Sequence, residues 1–268
     1  MTAPVIALLG VGKLGEALLS GLLRSGHPAD RLLGAERYPD RAAEIAERYG
    51  VATPQPVDAV RQADVLLLAV KPQDMRTLLS EIAPVLAPGT LVVSLAAGIT
   101  LKVLEGGLPE GTPVVRVMTN TPVFVDEAMS AVSAGTHAAP EQVDLVVDLL
   151  QHVGKVLRLP EAQLDAVTAL SGSGPAYFFF LVEAMVDAGI LLGLPRAVAH
   201  DLIVQTAVGA AVMLRDSGER PVALREAVMS PAGTTISAIR VMEDHGVRAA
   251  MLAALEAARD RSRELAGD

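Results

Sequence analysis

Cysteine is absent from the 268 residues of the chain, and its absence has direct chemical consequences. It excludes disulfide bonds, thiolate nucleophiles and cysteine-ligated metal centres. Such a chain fits a reducing compartment, so we expect a cytoplasmic protein. The five histidines show no paired spacing of metal ligands, and we therefore predict no metal site.

Long apolar runs and surplus positive charge are missing as well. The most apolar run, residues 176–182, is stopped by Glu183 and then Asp187, short of the roughly 18 residues of a membrane helix. The net charge of −9 opposes binding to nucleic acid and to anionic membranes. We therefore expect neither partner. No basic segment precedes the first apolar run, so we expect no export signal.

The first part of the chain alternates short apolar runs with longer amphipathic segments. This alternation is typical of a doubly wound parallel sheet, and it predicts a Rossmann-type α/β domain over residues 1–159. The predicted strands cover residues 5–9, 31–35, 65–70, 91–95 and 114–118, and the predicted helices cover residues 14–25, 40–49 and 74–86.

After Leu159 the strands disappear and helical segments follow one another, which predicts an all-α domain over residues 160–268. Aromatic residues make up only 3% of the chain, whereas hydrophobic residues make up 51%. Alanine, leucine and valine carry this excess on more than one face of several helices, and a small monomeric domain could not bury such surface. We therefore predict a helical dimerisation domain.

The sequence Gly10-Val-Gly-Lys-Leu-Gly15 follows the first predicted strand and opens a helix. In this context the first glycine permits a tight turn, the second permits close approach of a pyrophosphate, and the third permits packing of the helix on the strand. A dinucleotide-binding turn is therefore predicted at Gly10, Gly12, Lys13, Leu14 and Gly15.

The second predicted strand ends at Ala35-Glu36-Arg37, where the adenosine ribose of a dinucleotide is usually bound. Glu36 favours NADH, because a carboxylate accepts hydrogen bonds from a free 2′-hydroxyl group. Arg37 favours NADPH, because a guanidinium neutralises a 2′-phosphate. The two signals oppose each other, and we predict NADPH with NADH tolerated.

Three later segments end predicted strands at the edge of the sheet where ligands bind. The first is Ala69-Val70-Lys71-Pro72, in which Lys71 is either a cofactor contact or a solvated surface cation. The second, Leu95-Ala96-Ala97, leaves room for a nicotinamide ring. The third contains Asn120, whose amide needs hydrogen-bond partners and could recognise the carboxamide of nicotinamide.

The segment Ser230-Pro-Ala-Gly-Thr-Thr235 opens a predicted helix without a charged side chain. Proline fits the first turn of a helix, and glycine lets a ligand approach the backbone. The amides of Gly233, Thr234 and Thr235 are then predicted to be unpaired donors at the positive end of the helix dipole, where a small carboxylate could bind. The alternative is an ordinary helix start capped by hydroxyl groups.

Taken together, these motifs resemble those of pyrroline-5-carboxylate reductases over essentially the whole chain. In the first domain the resemblance rests on the glycine-rich turn and on Ala69-Val-Lys-Pro72, Ala96-Ala-Gly-Ile99 and Asn120-Thr-Pro122. In the second domain it rests on residues 165–177, Gly193-Leu-Pro-Arg196, Gln205-Thr206 and the segment 230–235.

The resemblance implies a Rossmann domain joined to a helical domain that interlocks with a second subunit, in homodimers that assemble into larger rings. It implies reduction of L-1-pyrroline-5-carboxylate to L-proline with NADPH or NADH. The substrate carboxylate is then expected on the amides of Gly233, Thr234 and Thr235, next to Ser230. The hydroxyl group of Thr235 is expected to bind the ring nitrogen as the catalytic contact.

Four positions deserve comparison with the family pattern. Glu161 matches an acidic position of the family and is either a ligand contact or an exposed carboxylate at a helix start. Ala232 stands where many relatives have glycine, Pro56 stands where an asparagine often contacts the adenosine half of the cofactor, and Ala227 stands where some relatives have asparagine. These departures leave nucleotide affinity and cofactor preference open.

Three other functions share parts of this pattern. A β-hydroxyacid dehydrogenase has the same two-domain plan but uses a lysine base early in its helical domain, and this chain has no lysine after Lys155. A cofactor-sensing protein without chemistry would not need the intact segment 230–235. A reductase of larger cyclic imines stays open, because sequence defines the chemistry of a pocket better than its volume.

Overall fold

The structure, a computed structural model, describes residues 3–267. These residues form two compact units. The first contains the chain up to Ser173 together with the C-terminal segment from Ala258, and the second contains Gly174–Ala257.

The first unit is built on a seven-stranded sheet. Its strands are β1 (Ile6–Leu9), β2 (Leu32–Ala35), β3 (Val65–Leu68), β4 (Leu91–Ser94), β5 (Val114–Met118), β6 (Ala128–Ala134) and β7 (Gly154–Arg158). Their order across the sheet is β2-β1-β3-β4-β5-β6-β7. The first five strands are parallel, β6 runs antiparallel to β5, and β7 is parallel to β6. The Rossmann-type fold is confirmed, with five strands predicted and two missed.

Helices cover both faces of this sheet. Those of the first unit are α1 (Lys13–Arg24), α2 (Pro39–Tyr49), α3 (Pro56–Gln62), α4 (Met75–Ile82), α5 (Leu101–Gly106), α6 (Pro140–Gln151) and α7 (Leu164–Val167), and a single π-helical turn follows at Thr168–Gly172. The strands are buried on both faces: Ile6 and Leu8 pack into one apolar cluster, whereas Ala7 and Leu9 pack into another. Burial of each such leucine side chain contributes about 2 kcal/mol to the stability of the fold.

The sheet has a topological switch point next to its first strand. From β1 the chain moves outward to β2, and it then crosses back to β3 on the other side of β1. In sheets of this kind ligands bind outside the carboxyl ends of the strands at that point. The loops after β1 and β3 therefore border the expected crevice.

The second unit is entirely helical. It contains α8 (Gly174–Leu191), α9 (Arg196–Asp216), α10 (Pro221–Ala227), α11 (Thr234–Asp244) and the first part of α12 (Val247–Ala266). Helices α8 and α9 pack closely, since a Cβ atom on Gly189 would lie 2.7 Å from Cβ of Ala199. Much apolar surface stays uncovered in one chain; Phe178, Phe179 and Phe180 are each about 70% exposed.

Two stretches of this helical region, Glu161–Leu191 and Arg196–Asp216, are long and apolar enough to cross a membrane by length and composition alone. The sequence prediction that no such stretch exists is wrong, because Glu183 and Asp187 do not interrupt α8. Length and composition do not distinguish lipid from another protein surface as the partner of these helices.

Candidate active site

A cavity of about 370 Å³ opens at the carboxyl ends of β1, β2 and β3, at the switch point of the sheet. It brings together seven of the predicted cofactor residues, namely Gly10, Gly12, Glu36, Arg37, Ala69, Val70 and Lys71. Pro56, Tyr38 and Arg41 also line it. The predicted residues Lys13, Leu14, Gly15, Pro72, Leu95, Ala96, Ala97 and Asn120 are not among the cavity-lining residues.

The three glycines of the turn after β1 meet three different requirements. Gly10 has a φ of +91°, in the left-handed region that favours glycine. A Cβ atom on Gly15 would lie 2.2 Å from the carbonyl oxygen of Gly10, so α1 can start here only with glycine at this position. A Cβ atom on Gly12 would meet no described atom within 4 Å. Gly12 therefore borders open space, which suits the approach of a pyrophosphate.

Helix α1 begins at this open space. Gly12 is its N-cap residue and provides no side-chain cap, so the first amides, those of Lys13 and Leu14, depend on groups outside the helix. The positive end of the helix dipole adds to the attraction of an anion. These features fit the phosphates of a dinucleotide.

Glu36 is half-buried at the end of β2, and backbone amides occupy its carboxylate. Oε2 accepts a hydrogen bond from the amide of Val11 at 3.1 Å, and Oε1 accepts one from the amide of Arg37 at 2.8 Å. The side chain of Arg37 is 64% exposed, and its ion pair with Glu81 is long at 3.9 Å. The guanidinium of Arg37 is thus more available to a ligand than the carboxylate of Glu36.

A group of charged residues behind the turn was missed by sequence reasoning. Arg41 donates through Nε to the carbonyl oxygen of Val11 at 3.1 Å, and it also binds the carboxylates of Glu16 and Glu44. The spacing of Arg41, Glu44 and Arg48 along one helix was an available signal for ion pairing. The contact between Arg41 and Val11 could not be predicted from spacing, since the two residues are 30 positions apart.

The pKa of Glu16 reflects two opposing influences. Burial disfavours the charged carboxylate, but hydrogen bonds from Tyr49, Arg41 and Arg48 outweigh burial and lower its pKa below the ordinary value of 4.5. Glu16 therefore stays ionised near neutral pH and holds both arginines.

Asn120 lies outside the cavity and has partners within the first unit. Its Oδ1 accepts from the amide of Met129 at 2.9 Å, and its Nδ2 donates to the carbonyl oxygen of Ser171 at 3.2 Å. These bonds satisfy the amide at both ends. A contact with nicotinamide stays a prediction.

Glu161 is half-buried in an ion pair. Its Oε1 accepts from Nη1 of the buried Arg116 at 2.8 Å and from the amide of Leu101 at 2.6 Å. Glu161 does begin a short helical turn, Glu161–Gln163, as the alternative expected, but its carboxylate is half-buried and paired and not fully exposed. Its contact with a substrate stays a prediction.

The segment 230–235 forms a tight turn that leads into α11. The amide of Gly233 donates to the carbonyl oxygen of Ser230 at 3.0 Å, so the prediction of three unpaired amides is wrong for Gly233. Those of Thr234 and Thr235 occupy the first two positions of α11, beyond the reach of the carbonyl groups of that helix. Thr235 is half-buried, whereas Ser230 and Thr234 are exposed.

No metal site accompanies these features: within residues 3–267, no group of three or more histidine or acidic side chains is placed to hold a metal ion. The chemistry of the two sites is that of backbone amides, hydroxyl groups, the exposed guanidinium of Arg37 and the exposed ammonium group of Lys71. These groups can bind phosphates and a small carboxylate, and they can orient a reactant.

Comparison with known proteins identifies the family. Residues 161–265 match the sequence profile for pyrroline-5-carboxylate reductase dimerisation, and residues 5–98 match that for NADP oxidoreductase, coenzyme F420-dependent. A pyrroline-5-carboxylate reductase of Corynebacterium melassecola is 45% identical over 264 residues, which cover 97% of this chain and 98% of that protein. The chain belongs to the pyrroline-5-carboxylate reductase family.

Solved structures of pyrroline-5-carboxylate reductases extend the likeness to three dimensions. The enzyme of Coxiella burnetii superposes with a TM-score of 0.93 at 35% identity, and the match covers 98% of each chain. The pyrroline carboxylate reductase of Plasmodium falciparum, solved with NADP bound, superposes with a TM-score of 0.90 at 25% identity, and the match covers 99% of each chain.

The dimerisation profile of the pyrroline-5-carboxylate reductases accounts for the helical region. It begins at Glu161, next to the boundary predicted after Leu159, whereas the first compact unit continues to Ser173. It also includes α8 and α9, which carry the exposed apolar surface. The helical domain is a dimerisation domain, as the sequence predicted.

Proposed function

We propose that the chain reduces L-1-pyrroline-5-carboxylate to L-proline, the last step of proline biosynthesis, with NADPH as the reductant. The observation that carries the proposal is the 45% identity with a pyrroline-5-carboxylate reductase over 97% of the chain. The chain is thus an oxidoreductase that acts on a carbon–nitrogen double bond. The rival function, that of a β-hydroxyacid dehydrogenase, requires a lysine base early in the helical domain, and this chain has no lysine after Lys155.

NADPH fits the cavity at the end of β1, β2 and β3. Gly12 gives the pyrophosphate access, and the amides of Lys13 and Leu14 receive it. Arg37 neutralises the 2′-phosphate, because its guanidinium is exposed and paired with Glu81 only at 3.9 Å. Both carboxylate oxygens of Glu36 already accept hydrogen bonds from backbone amides, so Glu36 is a weaker indication of NADH than the sequence alone suggests. The bound cofactor supplies a hydride.

Thr234 and Thr235 hold the substrate. Their amides bind the carboxylate, and the hydroxyl group of Thr235 binds the ring nitrogen, which orients the ring and stabilises the amine as it forms. Solvent protonates the imine nitrogen, so the protein has to position the ring and exclude water. Gly233 lets the carboxylate approach the turn, and Ser230 and Glu161 complete the predicted contacts.

A second copy of the chain covers α8 and α9. Their apolar residues would be costly to leave in water, and the dimerisation match includes both helices. The homodimers assemble into larger rings. This occupant explains the membrane-like composition of the helices without a membrane, and the net charge of −9 disfavours nucleic acid as a partner. We place the enzyme in the cytoplasm.

The test is oxidation of NADPH by the purified protein with L-1-pyrroline-5-carboxylate. The same assay includes NADH, a six-membered cyclic imino acid, and 3-hydroxy acids with NADP⁺. Turnover of the five-membered imine with L-proline as product is expected. Preference for the larger ring would overturn the substrate assignment, and oxidation of a hydroxy acid would overturn the reaction assignment. A preference for NADH of more than about tenfold would overturn the cofactor assignment. Silence with every substrate despite tight NADPH binding would favour the sensing protein.

A further inference from the structure

Two side chains from the segment after β2 make hydrogen bonds to the backbone of the glycine-rich turn. The amide of Val11, in the middle of the turn, donates to Oε2 of Glu36 at 3.1 Å. The carbonyl oxygen of Val11 accepts from Nε of Arg41, also at 3.1 Å. The side chain of Val11 is fully buried. The peptide units on both sides of Val11 are therefore fixed by side chains that come from a different part of the chain.

Arg41 is itself oriented by two carboxylates. Its Nη1 donates to Oε2 of Glu44 at 2.6 Å, and its Nη2 donates to Oε2 of Glu16 in the first turn of α1. A guanidinium is planar and carries its donors in fixed directions. Two carboxylates on its far edge therefore set the direction of Nε, which points at the turn.

The charge of Arg41 argues against direct binding of a phosphate. Arg41 lines the same cavity as Gly10 and Gly12, but Glu44 and Glu16 already neutralise it. The hydrogen bonds to Glu44 and Glu16 raise its pKa, as expected for a cation in a stable ion pair. A guanidinium bound in this way gains less from a further anion than a free one does.

We propose that Arg41 is a positioning residue for cofactor binding, which fixes the peptide of Val11 so that the amides at the start of α1 stay aligned for the pyrophosphate. The proposal rests on the proposed function, because it concerns the NADPH site. A prealigned turn binds its ligand without paying an ordering cost. Both NADPH and NADH contain the pyrophosphate, so loss of Arg41 weakens both by the same factor.

Arg48 provides a matched control within the same group of charges. It binds the same two carboxylates, with Nη1 at 2.6 Å from Oε1 of Glu16 and Nη2 at 2.8 Å from Oε1 of Glu44. Among the described residues its hydrogen bonds go to this charged group and not to the turn. When Arg41 is replaced, Arg48 still binds both carboxylates and balances one of their two negative charges, which limits the damage to the fold.

The experiment compares Arg41→Met and Arg48→Met with the unchanged protein. Dissociation constants of NADPH and NADH are measured by titration without imine, and thermal unfolding is followed for each protein. We expect both variants to lower the unfolding temperature. Arg41→Met should raise both dissociation constants about tenfold, whereas Arg48→Met should change them by less than about twofold. In the imine assay Arg41→Met should raise KM for NADPH more than it lowers kcat.

Arg41→Lys serves as a second variant, in case Arg41→Met does not fold. A lysine keeps the charge but has one nitrogen, which cannot bind two carboxylates and Val11 in the geometry of the guanidinium. Most of the loss of affinity should therefore persist. Full affinity in Arg41→Lys, equal losses in Arg41→Met and Arg48→Met, or a loss confined to NADPH would each overturn the positioning role. Failure of the unchanged protein to reduce the imine while it binds NADPH would overturn only the proposed function.

Discussion

A Cβ atom on Gly15 would lie 2.2 Å from the carbonyl oxygen of Gly10, at the opposite end of the same turn. Nonbonded carbon and oxygen atoms do not approach so closely. Neither group can move away easily, because Gly10 directly follows β1 and Gly15 lies in the first turn of α1. We predict that Gly15→Ala lowers the free energy of unfolding by about 2–3 kcal/mol. Denaturant unfolding measures this change.

Gly12→Ala is the matched control for that substitution. Its added methyl group meets no described atom, and the backbone of Gly12, with φ −70° and ψ −165°, suits alanine. We therefore expect wild-type stability, together with a loss of NADPH affinity of about tenfold or more, because the methyl group enters the space of the pyrophosphate. Unchanged affinity in a folded Gly12→Ala protein would show that the pyrophosphate binds elsewhere.

Glu16→Gln tests the charged group that joins α1 to α2. The folded pKa of Glu16 is below its ordinary value, so the carboxylate adds stability above about pH 4.5, and that stability is lost as pH falls through the folded pKa. Near neutral pH we expect the variant to be less stable by about 1–2 kcal/mol. Denaturant unfolding over a series of pH values should show the difference shrinking below about pH 4.5.

Glu243→Gln is the control for Glu16→Gln. The ion pair with Arg248 also lowers the pKa of Glu243, but this pair is exposed to solvent. Its replacement should change stability less, and the change should fade with added salt. A pH-independent difference between Glu16→Gln and the unchanged protein would mean that packing, and not charge, explains the effect.

Ala232 has a φ of +57°, in the region that favours glycine. An alanine in this conformation carries steric strain. We predict that Ala232→Gly raises the free energy of unfolding by about 0.5–1 kcal/mol, after allowance for the greater freedom of glycine in the unfolded chain. Ala238→Gly, in the exposed interior of α11, should lower it by a similar amount. Destabilisation by both substitutions would contradict the strain at Ala232.

The first five strands could be predicted because they are short runs of mostly apolar residues, as expected for strands buried on both faces, with Arg116 in β5 as their one charged residue. β6 was not predicted because six of its seven residues are alanine, serine or methionine, none of which favours a strand; Val132 is the exception. β7 lies at the edge of the sheet, where Lys155 and Arg158 are exposed, so it lacks an apolar run.

The candidate sites also contain features that the sequence predicts and features that it does not. The glycines of the turn could be predicted because their conformational requirements are local and appear in the sequence as a fixed spacing. The contacts of Glu36 and Arg41 with Val11 could not, because Val11 lies 25 residues from the first and 30 from the second, and only tertiary packing brings them together. The pairing of the Gly233 amide depends on a left-handed alanine, which local preferences argue against.

Thr235→Ala tests the proposed catalytic contact. Removal of one positioned hydroxyl group should lower kcat by roughly 10- to 100-fold, because the hydrogen bond to the ring nitrogen strengthens as the amine forms. The NADPH dissociation constant should stay unchanged, and Thr235→Ser should recover most of the activity because it keeps the hydroxyl group. Thr206→Ala is the control, since that hydroxyl group binds the carbonyl oxygen of Leu202 within α9. Full turnover by Thr235→Ala would exclude the role, and equal losses in Thr206→Ala would assign the effect to the helical fold.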